Sequence, residues 1–183
     1  MDERSAIADA PAAGTRAAGG TRAGPIGRVV QVNVSAGGVP KRPVDGAWVG
    51  RLGLDGDGHH EPEPVHGGEL QAVCLYAAEA IARVAADGHE AFPGAFGENL
   101  TVEGIEVGRL APGTRLAVGS GGLVLEITKH AAPCQTIAGH FVDRAIARIS
   151  PKVHPEDARQ YARVVVEGPV ARDDRVEVLT APL

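Results

Sequence analysis

Short β-branched runs, each closed off by a glycine-bearing turn, recur along the chain from Ile26 to Leu179, and this rhythm restricts the fold more than any other feature. The first run, IGRVVQVNVS at 26–35, alternates valine with smaller or polar residues, as a strand with one buried face requires. Others follow at 71–75, in TRLAVG, LVLEIT, YARVVVEG and DRVEVLT, the last two expected to be linked by a short turn, with a shorter one around 47–49. TRLAVG and LVLEIT are separated only by Gly119-Ser120-Gly121-Gly122, so they read as a hairpin. One helix is expected over 77–86, with apolar residues at Ala77, Ile81, Val84 and Ala85 and a stop at Asp87-Gly88. A second helical piece is expected over 140–148. Strands do not alternate with helices, so a parallel α/β sheet is disfavoured. The expectation is a mostly β domain, closed or partly closed into a barrel, with one or two short helices.

The amino-acid inventory agrees. A chain of 183 residues is long enough for one domain with a real core. Hydrophobic residues make up 44% but aromatics only 3%, so the interior must be built from Val, Leu, Ile and Ala. Residues 1–25, rich in Ala and Gly without periodicity, are expected to be a disordered tail, and 26–183 a single domain. The net charge of −5 comes from interspersed acids and bases, with no basic block for nucleic acid. No apolar run reaches the roughly 18 residues of a membrane span. The first twenty residues lack the apolar core of a signal peptide, so a soluble, cytoplasmic protein is expected.

The candidate chemistry centres on two cysteines, too few for a disulfide framework. Cys74 lies inside the apolar run QAVCLYAAEAIARVAA and reads as a small buried hydrophobe. Cys134 follows Pro133 just beyond LVLEIT, at a strand-to-loop junction where a thiolate can face a cleft. His130 and His140 are close in sequence, but there is no GxSxG elbow, and a thiol–imidazole pair is a spatial question. The loop GDGHHEPEPVHGG gathers Asp57, His59, His60, Glu61, Glu63 and His66; it could hold zinc or iron, or be a solvated loop edge. Within it, Gly67 and Gly68 free backbone amides for an anion. Lys41, after the Gly37-Gly38 turn, and Arg159, near Lys152, His154 and Arg163, are further anion candidates. Neither GxxxxGK[ST] nor a helix-opening GxGxxG is present.

Taken in order, SAGGVPK, GLDGDGHH, VHGGELQAVCLYAAE, PGAFGENLTVEG, ITKHAAPCQTIAGHF and YARVVVEGPVARDDRVEVL resemble the MOSC domain, named after the C-terminal part of molybdenum cofactor sulfurase. The likeness spans roughly 26–179 and points to the stand-alone, YiiM-like bacterial branch. It implies a β-barrel and a molybdopterin-type molybdenum cofactor, with Cys134 as catalytic residue and molybdenum ligand. It also implies Lys41, Asp57, His66, Gly67, Gly68, Asn99 and Arg159 as cofactor-binding residues. Two departures stand out: Ala131 and Ala132 occupy positions where many relatives carry an arginine, and Glu156 follows His154-Pro155. The implied activity is two-electron reduction of N-hydroxylated compounds. Its partners would be a small-molecule substrate and an external electron or sulfur donor protein, with neither nucleic acid nor membrane; a homodimer is one alternative for the assembly. Other readings are a cofactor or persulfide carrier without turnover, and a repurposed enzyme using another metal or none.

Overall fold

The computed structural model describes residues 24–58 and 67–179. The expected tail lies outside them except for Gly24 and Pro25, as do His59, His60, Glu61, Glu63 and His66.

In chain order the strands are β1 (Ile26–Val34), β2 (Arg42–Val44), β3 (Gly46–Gly50), β4 (Gly53–Leu54), β5 (Val73–Ala77), β6 (Leu100–Glu103), β7 (Arg115–Val118), β8 (Leu123–Ala131), β9 (Arg159–Val166), β10 (Gly168–Ala171) and β11 (Arg175–Leu179). The main sheet runs β11-β7-β8-β9-β5-β6-β1-β2, and β11 also pairs with β1. That last pairing closes a ring; β2, the remaining strand of this 8-stranded sheet, hangs outside it. Closure removes the unpaired edges that an open sheet would expose. All barrel pairs are antiparallel except β5–β6, which the helix α1 (Ala78–Ala86) joins by a crossover.

Period-two alternation decides what faces the barrel interior. Val29 opposes Val102, Leu75 opposes both Leu100 and Gln160, and Val73 and Ile127 oppose Ala162. All of these are buried, and apart from Gln160 they are aliphatic, as the scarcity of aromatics demands. Fully burying one such side chain contributes about 1.5–3 kcal/mol. Phe96, Phe141 and Tyr76 lie outside the barrel wall, with Phe96 stacked on Phe141 at 5.0 Å between ring centroids.

The hairpin forms as expected, Val118 opposing Leu123 across a turn in which Gly119 and Gly122 take positive φ (63° and 86°). The helix begins one residue later than expected, at Ala78. Two expectations need correction. Residues 140–148 are not one helix but parts of successive 3-10 turns, Gln135–His140, Val142–Arg144 and Ile146–Ile149. Asp143 and Arg144 sit at φ 53° and 54°, which interrupts any α-helical run. The last two long strands are not linked by a simple turn either. Between them β10 leaves the barrel to pair with β3 in a small sheet, β10-β3-β4, where Pro169 is tolerated because β10 is an edge. No helix among the described residues is long and apolar enough to cross a membrane.

Candidate functional site

The ladder that points Leu75, Ala162 and Ile127 inward necessarily points their neighbours outward. Cys74 opposes Tyr161, which opposes Lys129 on its other side, and Arg159 opposes Ala131. On this outer face a cavity of about 280 Å³ opens between the barrel wall and four covering segments. The wall gives Cys74, Tyr161 and Arg159; the cover gives Gly38, Val39 and Lys41 from the first turn, Gly58 and Gly67, Phe96 and Gly97, and Cys134, Thr136 and Ile137. Asn99 and Gln71 complete the lining.

Cys134 is extended (φ −127°, ψ 172°) at the end of the β8 exit, and a 3-10 turn starts immediately after it. Its partial exposure and its place in the lining make its sulfur accessible from the cavity. Cys74 is buried, as its apolar run suggested, yet it too contributes to the lining. Burial pushes its thiol up to about 11, so it stays neutral at physiological pH.

Lys41 and Asp57 form an ion pair inside the wall, their side chains only 7% and 4% exposed. Asp57 is satisfied throughout: Oδ2 also accepts from Asn99 Nδ2 at 2.8 Å, and Oδ1 accepts from the Ser35 amide at 2.9 Å. Asn99 is committed as well, its Oδ1 accepting from the Cys74 amide at 3.0 Å. These three residues therefore brace the cavity, with Asp57 and Asn99 largely committed while the Lys41 ammonium, which has three donors, bonds Asp57 alone among the described residues. Asp57 supports it from behind Lys41 and is not itself in the lining.

Arg159 differs. It is 6% exposed and lines the cavity, and it donates Nη1 to the Phe96 carbonyl and Nη2 to the Ala132 carbonyl at 3.4 Å. Its Nε has no partner, and no carboxylate pairs with it among the described residues. The strand ladder thus delivers a cation to the backbone just before Pro133-Cys134, where Ala131 and Ala132 carry none.

Of the sequence candidates, the structure gathers Lys41, Gly67, Asn99, Cys134 and Arg159 around one cavity, with Asp57 bonded behind them. Gly68 is adjacent to the lining, and His66 lies outside the described residues. Tyr161, Phe96, Gln71 and Cys74 complete the site without having been singled out for it. Period-two counting from Arg159 reaches Tyr161, but the cover over that face has no local signal. His130 points away, its Nε2 3.0 Å from the Gly108 carbonyl. One other group of potential ligands exists among the described residues, His154, Glu156 and Asp157, but Asp157 already pairs with Arg83 and Arg148.

Residues 62–177 match the family model of the MOSC domain, well over half of the chain. The chain belongs to the MOSC domain family. Its fold is similar to that of the YuaD protein from Bacillus subtilis, at a TM-score of 0.71 and 15% identity over 86% of this chain and 97% of that one. It is also similar to YiiM from Geobacillus stearothermophilus (TM-score 0.63, 22% identity, 84% of this chain and 75% of that one). YiiM from Escherichia coli matches at 0.59 and 20% identity, over 87% of this chain and 71% of that one. At such identities the likeness concerns the fold. No curated protein matches the chain.

The MOSC family is associated with the molybdenum cofactor, and the donor set here fits such a group. Cys134 offers a soft, strongly donating sulfur, Arg159 an uncompensated cation, and the glycines at 38, 58, 67 and 97 allow close backbone approach. The cavity volume of about 280 Å³ lies near the lower end of small-molecule pockets.

Proposed function

We propose that this MOSC protein binds a molybdopterin-type cofactor through the Cys134 sulfur and reduces N-hydroxylated compounds with electrons from an external donor protein. The observation that supports this reading is the convergence of Cys134, Arg159, Lys41, Asn99 and Gly67, from five separate segments, on one cavity. When bound, the cofactor supplies two-electron, oxygen-abstracting chemistry that no side chain here can provide.

The protein's own contribution is binding, shielding and charge. Cys134 must be deprotonated to act as a ligand, and Arg159 places a cation on the backbone two residues before it. The Lys41–Asp57–Asn99 unit fixes the opposite wall without adding net charge, since Lys41 and Asp57 cancel. Phe96, Ile137 and Val39 supply apolar surface that excludes water and strengthens polar contacts inside. Reduction of R–NH–OH to R–NH2 breaks the N–O bond and releases water, consuming two electrons and two protons. Tyr161, pushed up to about 12 by burial, keeps its proton at neutral pH and is the phenol facing that space.

The test is elemental analysis of protein made in a host that synthesises the cofactor. Close to one molybdenum per chain is expected in wild type, and none in Cys134→Ala. Molybdenum absent from wild type, or equal in both proteins, would sink the reading. A labile +32 adduct on Cys134 without molybdenum would instead favour the persulfide-carrier alternative.

A further inference from the structure

A guanidinium cannot shed its charge by losing a proton, so a buried one calls for a counter-charge. Arg159 has none among the described residues. The neighbouring cation does not share this need, because Lys41 is taken by Asp57. The buried carboxyl that feels Arg159 is Glu98, and it forms no ion pair with it. Glu98 Oε1 accepts from the Gly94 amide at 2.6 Å and from Thr101 Oγ1 at 3.1 Å, and burial pushes the group toward its neutral form. Two of the five N–H groups of Arg159 go to carbonyls, neither of which neutralises it. Two residues along the same face of β9, Tyr161 also lines the cavity.

We infer that Arg159 is an anion subsite of the Cys134 cavity, and that the molecule reacting at Cys134 carries a carboxylate, sulfonate or phosphate. This rests on Cys134 being the reacting sulfur but not on molybdenum being bound there. Arg159 touches the carbonyl of Ala132, two residues before Cys134, so the anionic group is held close to the reacting end and not at the far end of a long ligand.

Two alkylating probes of nearly equal size, one anionic and one neutral, test this on the full chain purified from a host lacking the cofactor. Iodoacetate and iodoacetamide both transfer their CH2 carbon to the Cys134 sulfur as the C–I bond breaks and iodide leaves; the product is read by peptide mass spectrometry. Their rate ratio, normalised to the ratio for glutathione, is compared between proteins. Wild type is expected to favour iodoacetate about tenfold more than Arg159→Gln does, the scale of a charge-assisted hydrogen bond. Arg159→Lys should fall between them, because it keeps the charge but loses the fork. Equal ratios in wild type and Arg159→Gln would overturn the subsite.

A measurement on wild type alone covers the case in which the variants do not fold. At constant ionic strength, inorganic phosphate and acetate should slow iodoacetate labelling of Cys134 saturably, whereas acetamide should not. Labelling indifferent to both anions would overturn the inference. The molybdenum analysis stands apart: a chain that never holds the metal yet prefers the anionic probe keeps this subsite and loses the cofactor reading.

Discussion

Asn99 and Cys74 are joined twice: the Cys74 amide donates to Asn99 Oδ1 at 3.0 Å, and the Asn99 amide donates to the Cys74 carbonyl at 2.7 Å. The pair ties β5 to the residue that precedes β6, at the point where these parallel neighbours begin, and it does so in the cavity wall. The remaining arm of Asn99, Nδ2, reaches Asp57. One side chain therefore fixes the position of both a thiol and an ion pair.

Replacing Asn99 by Leu should consequently loosen the wall more than its modest size suggests. The Cys74 amide loses its buried acceptor and Asp57 loses a donor, while Lys41 remains as its partner. Each buried polar group left unmet costs about 1–3 kcal/mol. A loss of about 3 kcal/mol is expected in urea unfolding, against less than about 1 kcal/mol for substitution of an exposed residue such as Thr136.

The two thiols should separate by reactivity. Cys74 titrates at about 11 against an ordinary 9.0, which cuts its thiolate fraction about a hundredfold at pH 8 relative to the unfolded chain. Iodoacetamide should label Cys134 in the folded protein and leave Cys74 unmodified until denaturant is added, as peptide mapping would show. Equal labelling of both in the native state would contradict the burial of Cys74.

The contrast between these cysteines shows what the chain discloses locally. Cys134 is legible from its place at a strand exit, and the barrel from the valine alternation of 26–35 and the Gly-rich hairpin turn. Cys74 looks like core because its whole run is apolar, and it is indeed buried. Its second role, in the cavity, depends on an outer barrel face being roofed by residues 37–41, 96–97 and 134–137, which are distant in sequence. Glu98 gave no signal at all, since a glutamate in a glycine-rich loop is ordinarily exposed. Its burial follows from Gly94 and Thr101 meeting Oε1, a consequence of how the loop folds back. The 140–148 segment reads as helical, but Asp143 and Arg144 take positive φ, which breaks the run into short turns.

Outside the cavity, Asp157 links Arg83 at 2.7 Å and Arg148 at 2.5 Å, and Arg148 continues to Asp87 at 2.5 Å. Asp157 and Arg148 are largely buried, whereas Arg83 is 43% exposed. Asp157→Ala should therefore cost about 3 kcal/mol, because it removes the buried carboxylate that two guanidiniums share and leaves Arg148 with only the half-exposed Asp87. Arg83→Ala should cost under about 1 kcal/mol, since solvent already screens that pair. Chemical denaturation of both variants checks the ordering, and a costlier Arg83→Ala would reverse the account.

Glu98 offers the pH test. Its carboxyl is fully buried, burial pushes its titration above the ordinary 4.5, and Oε2 has no partner. Below the unfolded-state value both states are protonated and the group costs nothing through ionisation. As pH rises past that value the unfolded chain releases its proton first, which favours unfolding, until the folded-state value is passed and the difference levels off. Within that window one such group changes stability by up to about 1.4 kcal/mol per pH unit. Glu98→Gln keeps an oxygen for the Gly94 amide and cannot ionise. Its stability relative to wild type should therefore rise from pH 4 toward neutrality and then plateau, as urea unfolding at a series of pH values would reveal. A difference that stayed flat across that range would mean that Glu98 ionises as readily in the folded chain as in the unfolded one.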